Sequence, residues 1–228
     1  PVGPFALAGR VRSDYERVRT ALESCGYYAG VVHISLRQNQ GKGGIRMDGQ
    51  SQALANWIAA VPSGQKIAVE ISVEKGPVFH LGAIRLVDQT THAAPVLSAA
   101  QTKAFGLAPG QPAVAQAVLG AGGQLLDALK ESGHALARVE KPTAYLRPQT
   151  RTLDIVYPVT PGPVLDIGTI SLDGLRRVHG SFIRRRLTVS TGQLYQPSRI
   201  ESARQDLTDL GVFSNVAAKD ASDTAVDK

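Results

Sequence analysis

Two stretches of the chain carry a large apolar residue at every second position: Ile67, Val69, Ile71 and Val73 in one, Leu153, Ile155, Tyr157 and Val159 in the other. A period of two puts one set of side chains on a single face and predicts a strand with one buried side. Glycine and proline end each strand, at Gly76-Pro77 and Gly162-Pro163. Proline has no N–H for a ladder, and glycine accepts backbone angles closed to other residues. A further short strand is predicted after each break, over 84–86 and 170–172.

Elsewhere the period lengthens to that of a helix. Tyr15, Val18, Ala21 and Leu22 share one face, as do Val114, Ala117, Val118, Ala121 and Leu125, and as do Ile200, Ala203, Leu207 and Leu210. Each of these helices is expected to close on a left-handed glycine four residues after a leucine: Leu22 and Gly26, Leu129 and Gly133, Leu207 and Gly211. Ser13 with Glu16, and Ser198 with Glu201, have capping-box spacing and are expected at helix starts. Another helix fits around 95–105. Gly110-Gln111 and Gly192-Gln193 form the turns between helices, and apolar strand residues Val31, Val32, Val139 and Val216 follow the closing glycines.

These elements repeat. Residues 73–86 recur as 159–172 at an offset of 86, with seven of fourteen positions identical. Internal repetition at such a period means one folding unit used again. The order within it is strand, helix, helix, strand, strand, an α+β module with a small mixed sheet and two helices on one face. Three units are predicted, over 1–77, 78–162 and 163–228, joined by short linkers. Gly82 to Gly133 spans 51 residues whereas 25 precede Gly26, and Gly133 to Gly162 spans 29 whereas 17 follow Gly211. The first unit is therefore expected to lack its opening strand and helix. The third is expected to lack its closing strand, the natural protein continuing past Lys228. Residues 37–65 stand outside the repeat as an insertion. It holds the glycine run 41–44 and a short helix over 52–61, in which Trp57 serves packing or a partner.

Composition narrows the function. No run of about 18 apolar residues exists, so nothing here is expected to span a bilayer as a helix. The net charge of +6 permits anionic partners, but the charge is dispersed. Its one cluster, Arg184, Arg185 and Arg186, cannot occupy a single helix face. Cys25 is the sole cysteine, which excludes an internal disulfide and a zinc set, and its apolar neighbours suggest a buried thiol. His33, His80, His92, His134 and His179 are scattered without metal-ligand spacing. Neither residues 41–44 nor 120–123 has the spacing of a phosphate or dinucleotide loop. No nucleophile elbow is present, and no nucleic-acid motif accompanies the basic charge. No catalytic, cofactor or metal residue is nominated, and an enzyme is not expected.

Asp14 to Arg19, Leu22 and Gly26-Tyr27-Tyr28 at one end resemble the TamA family. So do Phe182 to Leu187, Gly192 to Pro197, and Leu207, Leu210, Gly211, Phe213 and Val216 at the other. TamA-like proteins are similar to BamA in carrying periplasmic POTRA modules ahead of a membrane β-barrel. The resemblance implies a periplasmic, outer-membrane-attached role in protein transport: assembly and secretion of outer-membrane proteins, including autotransporters. It implies unfolded clients, an inner-membrane TamB-like protein and the protein's own C-terminal β-barrel as partners, with no cofactor and no nucleic acid. It further implies β-augmentation, clients adding a strand to the exposed second strand of a module. The candidate edges are His33, Ile34, Ser35 and Leu36; Ala135, Leu136, Ala137, Arg138 and Val139; and Asn215, Val216 and Ala217. Charges such as Arg138 would equally suit an ordinary protected edge. The competing readings are BamA itself, a two-partner secretion transporter, or a periplasmic enzyme or lipid-binding module with a chance repeat.

Overall fold

The structure is a computed structural model that describes residues 3–38, 45–62, 64–172, 174–175, 179–210 and 217. The chain falls into two compact units: Pro1–Ile84 with Leu107–Gly120 and Thr143–Val156, and Arg85–Gly106 with Ala121–Pro142 and Tyr157–Lys228.

The first unit opens with helix α1, Pro4–Ser24, started by a proline whose fixed φ suits the first turn. It ends on Gly26 at φ +89°, with Gly26 N–H donating to Glu23 O and Tyr27 N–H to Leu22 O. This is a Schellman closure built on the expected glycine. Ser13 lies in mid-helix and caps nothing, because Pro4 begins the helix nine residues earlier. Cys25 is exposed, not buried, because the helix ends there and turns its apolar face elsewhere.

Strands β1 (Val31–Gln38), β2 (Arg46–Asp48) and β3 (Ile67–Glu74) form an antiparallel sheet in the order β2-β1-β3, with helix α2 (Leu54–Ala59) between β2 and β3. Ala8, Val11 and Tyr15 of α1 bury against Ile34 and Leu36 of β1 and Leu54 and Ile58 of α2. The insertion therefore supplies one strand and one helix of this core. Trp57 packs against it, the first of the two roles open to it from the sequence. The glycine run 41–44 lies outside the described residues.

The Tyr15 hydroxyl accepts from Ile34 N–H at 2.9 Å and donates to Ile34 O at 3.3 Å. A buried side chain thus serves the main chain of β1 beyond the last β2 pair. Tyr15→Phe is expected to cost about 1–3 kcal/mol by leaving that N–H unpaired in the core. Urea unfolding followed through Trp57 fluorescence reads the loss.

The second sheet contains β4 (His80–Asp88), β5 (Arg138–Val139), β6 (Thr143–Arg147) and β7 (Thr152–Thr160), in the order β4-β7-β5, with β6 also on β7. Helices α3 (Ala99–Phe105) and α4 (Ala115–Glu131) connect β4 to β5. His80 N–H donates to Arg151 O and Gln89 N–H to Val159 O, so β4 runs parallel to β7. The pairs of β7 with β5 and β6 are antiparallel, which makes the sheet mixed. Helix α3 starts from a full capping box, Ser98 and Gln101, so it begins later than residue 95. Its Phe105 meets Tyr157 edge-on at 5.1 Å. On α4, Gly122 faces Tyr157 and Val139, so both helices lie on one face of β7. Among the described residues nothing lies within 4 Å of a Cβ placed on Gly120 or Gly123. Alanine at each should stabilise the helix by about 0.5–1 kcal/mol, read as a rise in thermal midpoint.

Helices α5 (Gly180–Arg186) and α6 (Pro197–Asp209) complete the second unit, around buried Ile183, Ala203 and Leu207. Ser198 does not cap α6. Pro197 occupies the first turn after Gln196, and the Ser198 hydroxyl donates to the Glu131 carboxylate instead. The strand expected over 170–172 is absent, leaving an isolated bridge between Asp166 and Leu194. A strand needs a ladder partner, and no described residue supplies one there. No helix among the described residues is long and apolar enough to cross a membrane.

Candidate functional site: strand edges and repeated joints

The edge expected at His33, Ile34, Ser35 and Leu36 is closed. Strand β1 is the middle of its sheet: Ser35 pairs Asp48, Leu36 pairs Met47, and the carbonyl of Ile34 accepts from Gly49 N–H at 2.8 Å. Tyr15 occupies the Ile34 N–H. The insertion, by contributing β2, has filled the edge.

The edge at Ala135, Leu136, Ala137, Arg138 and Val139 is open only in its second half. Helix α4 closes on Gly133, and a turn follows in which Ala135 N–H bonds Gly133 O and Ala137 N–H bonds His134 O. The first three residues are consumed by that turn, and Ala137 is buried. Arg138 and Val139 pair Thr160 and Val159 at the sheet border. The same border continues through β6, which the sequence reading missed, with Thr143 to Arg147 paired to Val156 to Thr152. All five β6 residues are exposed, Tyr145 and Leu146 among them. Asn215 and Val216 lie outside the described residues. Ala217 is exposed and in no strand.

A further border was also missed, that of β3. Its Val69, Ile71 and Val73 pair Leu36, Ile34 and Val32, so they share the apolar face of the sheet. They are nevertheless 48%, 49% and 40% exposed. The alternation that announced the strand was also the signal of this stripe.

The glycine-rich repeat builds a joint, and builds it twice. At the first, Phe79 N–H donates to Gly26 O (2.9 Å), Ala113 N–H to Phe79 O (2.9 Å), Leu81 N–H to Gln111 O (2.7 Å) and Gly110 N–H to Leu81 O (2.8 Å). At the second, Leu165 N–H donates to Gly133 O (2.9 Å), Tyr195 N–H to Leu165 O (3.0 Å), Ile167 N–H to Gln193 O (2.7 Å) and Gly192 N–H to Ile167 O (2.7 Å). The Gln111 side chain accepts from Ala108 N–H, and the Gln193 side chain from Ser190 N–H. Gly76 and Gly162 both sit at positive φ, +67° and +69°. Main-chain bonds from the linker to the inter-helix turn therefore recur in both places.

Among the described residues no group of His, Cys, Asp and Glu could hold a metal ion. His134 is engaged through Nδ1 with Gly162 O at 2.9 Å, and the Arg186 guanidinium lies over the Phe182 ring.

Comparison with known proteins follows the same lines. Residues 165–228 match the POTRA family model, "Surface antigen variable number repeat". The outer membrane protein assembly factor BamA of Neorickettsia risticii (strain Illinois) is 32% identical over 92 residues, which is 40% of this chain and 12% of that protein. BamA of Neisseria meningitidis serogroup B is 23% identical over 154 residues, 66% of this chain and 18% of its own. The chain thus spans under a fifth of either relative. The crystal structure of Haemophilus influenzae BamA POTRA3-5 superposes with a TM-score of 0.50 at 17% identity, covering 91% of this chain and 72% of that one. BamA from Haemophilus ducreyi lacking POTRA domains 1-3 gives 0.51 at 17% identity, over 62% and 26%. At such identity these two speak for the fold alone, and none of the four singles out TamA. With its mixed sheet and its helix pair on one face the chain is similar in fold to the POTRA regions of BamA, and its residues 165–228 match the POTRA model.

Proposed function

We propose that this chain is the periplasmic part of an outer-membrane protein and autotransporter assembly factor, and that it binds unfolded clients or partners at an open strand edge. It is not an enzyme on this reading, and it consists of three modules, over 1–77, 78–162 and 163–228. The natural protein attaches to the outer membrane through a C-terminal β-barrel and meets a TamB-like protein at the inner membrane. The observation that carries the proposal is the border formed by Arg138, Val139 and β6, where exposed Tyr145 and Leu146 flank a strand with no described neighbour on its outer side. Main-chain hydrogen bonds along such a border give affinity without demanding one sequence, which suits a receptor for many clients.

A photo-crosslinking residue in place of Tyr145, in the natural full-length protein, tests this. Adducts with an unfolded outer-membrane client are expected at Tyr145 and not at Gln124, on the exposed side of α4. Equal labelling at both positions, or none at Tyr145, would sink the strand-addition reading. BamA identity is the second reading, favoured because both curated relatives are BamA. The number of modules before the barrel separates it from TamA.

A further inference from the structure

The net charge of +6 looks dispersed, yet a single stretch holds all of it. Residues 174–200 contain six of the 25 basic residues and none of the 19 acidic ones, so the rest of the chain is neutral. Helix α5 lies within that stretch, and we infer that its solvent face is a docking site for the anionic headgroups of a phospholipid bilayer. The inference rests on the periplasmic, membrane-attached reading above, which puts a bilayer within reach.

Arg184, Arg185 and Arg186 cannot share one face, but Phe182, Arg185 and Arg186 can, at spacings of three and four residues. Ile183 is the buried residue of α5 and turns inward, leaving the other three to solvent. Phe182 is 43% exposed, and the Arg186 guanidinium lies 5.2 Å from its ring centre. Among the described residues none of the three arginines is in an ion pair. Cations in a last turn suit the helix dipole. The dipole gives no reason for an exposed phenyl ring beside them.

A bilayer surface matches both parts of this arrangement. Headgroup phosphates accept bidentate hydrogen bonds from guanidiniums, and an aromatic ring between them enters the boundary of headgroups and acyl chains. Each arginine near an anionic leaflet strengthens binding about fivefold. Mobility of the side chains favours lipid over an acidic protein. Among the described residues no side-chain hydrogen bond holds Arg184 or Arg185. Headgroups can move to meet such guanidiniums, whereas a carboxylate fixed in a protein gains from partners that are fixed beforehand.

Flotation of the 228-residue chain with vesicles tests this. Binding is expected on phosphatidylcholine vesicles carrying about a quarter phosphatidylglycerol, and is expected to vanish on phosphatidylcholine alone and to weaken as salt rises. Arg185→Glu together with Arg186→Glu is expected to weaken it on the order of 100-fold. Arg10→Glu with Arg12→Glu makes the same change of charge at exposed positions of α1, and is expected to weaken it about twofold at most. Phe182→Ala keeps the charge and is expected to weaken it several-fold. Circular dichroism checks that each variant is folded, and Phe182→Ala decides the matter if the double reversal is not. No binding, equal losses in the two double variants, or no effect of Phe182→Ala would overturn the inference. Equal binding to soluble polyglutamate would assign the patch to acidic proteins and overturn it too. Client crosslinking at Tyr145 depends on none of these outcomes, so the strand-addition reading stands or falls separately.

Discussion

Alanine at Gly133 is expected to cost the second unit on the order of 2–4 kcal/mol. Alanine at its counterpart Gly26 is expected to cost the first unit about 1–2 kcal/mol. Both glycines close a helix at positive φ, +94° and +89°, where a Cβ is strained in any surroundings. What separates them is the space outside. A Cβ on Gly133 would lie 2.5 Å from Leu194 Cδ1, 2.9 Å from Val164 Cγ1 and 3.2 Å from Leu194 Cγ, so rotating the tip of one side chain does not clear it. On Gly26 the nearest atom is Ala113 O at 3.4 Å, which is bearable. The collision falls on the second joint itself, because Gly133 O accepts Leu165 N–H and Leu194 forms the bridge with Asp166. Urea unfolding by circular dichroism gives the two costs, and hydrogen exchange shows which unit loosens. Equal costs would mean that Val164 and Leu194 move aside freely and that the joint is softer than its hydrogen bonds suggest.

These glycines were legible in the sequence for the same reason that they are costly to replace. A left-handed residue and a linker held only by main-chain bonds restrict residue type locally. Gly26, Gly76, Gly133 and Gly162 thus mark the joints without any knowledge of what lies nearby. The alternating strands and the helix faces were legible too, since period alone reveals them. What failed was whatever depended on non-local partners. The edge read at His33, Ile34, Ser35 and Leu36 is filled by β2 and by the hydroxyl of Tyr15, 19 residues upstream of Ile34. Ser13 and Glu16 have capping spacing, but a Ser-x-x-Glu pair inside a helix looks the same until the start of the helix is known. Strand β6 sets its three apolar residues, Ala144, Tyr145 and Leu146, side by side, so no alternation shows. Its assignment came from its pairing with β7. The open border that the proposed function uses was consequently half seen, at Arg138 and Val139, and half missed.

Tyr157→Ala is expected to cost about 3–5 kcal/mol, the range for removing a large aromatic from a packed core. Ile71→Ala, the equivalent position of the first repeat, should cost only about 1 kcal/mol in the 228-residue chain, because half of that side chain is already in water. Tyr157 is wholly buried, with Phe105 edge-on to it and Gly122 beneath. Burial pushes its phenol up to about 12. Ile71 shares the strand position, the face and the alternation, and has a buried partner in Ile34, but it is about half exposed, with no helix among the described residues covering it. Thermal unfolding of the two variants side by side measures the contrast. Comparable losses would mean that the β3 stripe already has cover in the isolated chain. A several-fold difference would mean that the repeat specifies a module which this stretch of chain builds in full only once.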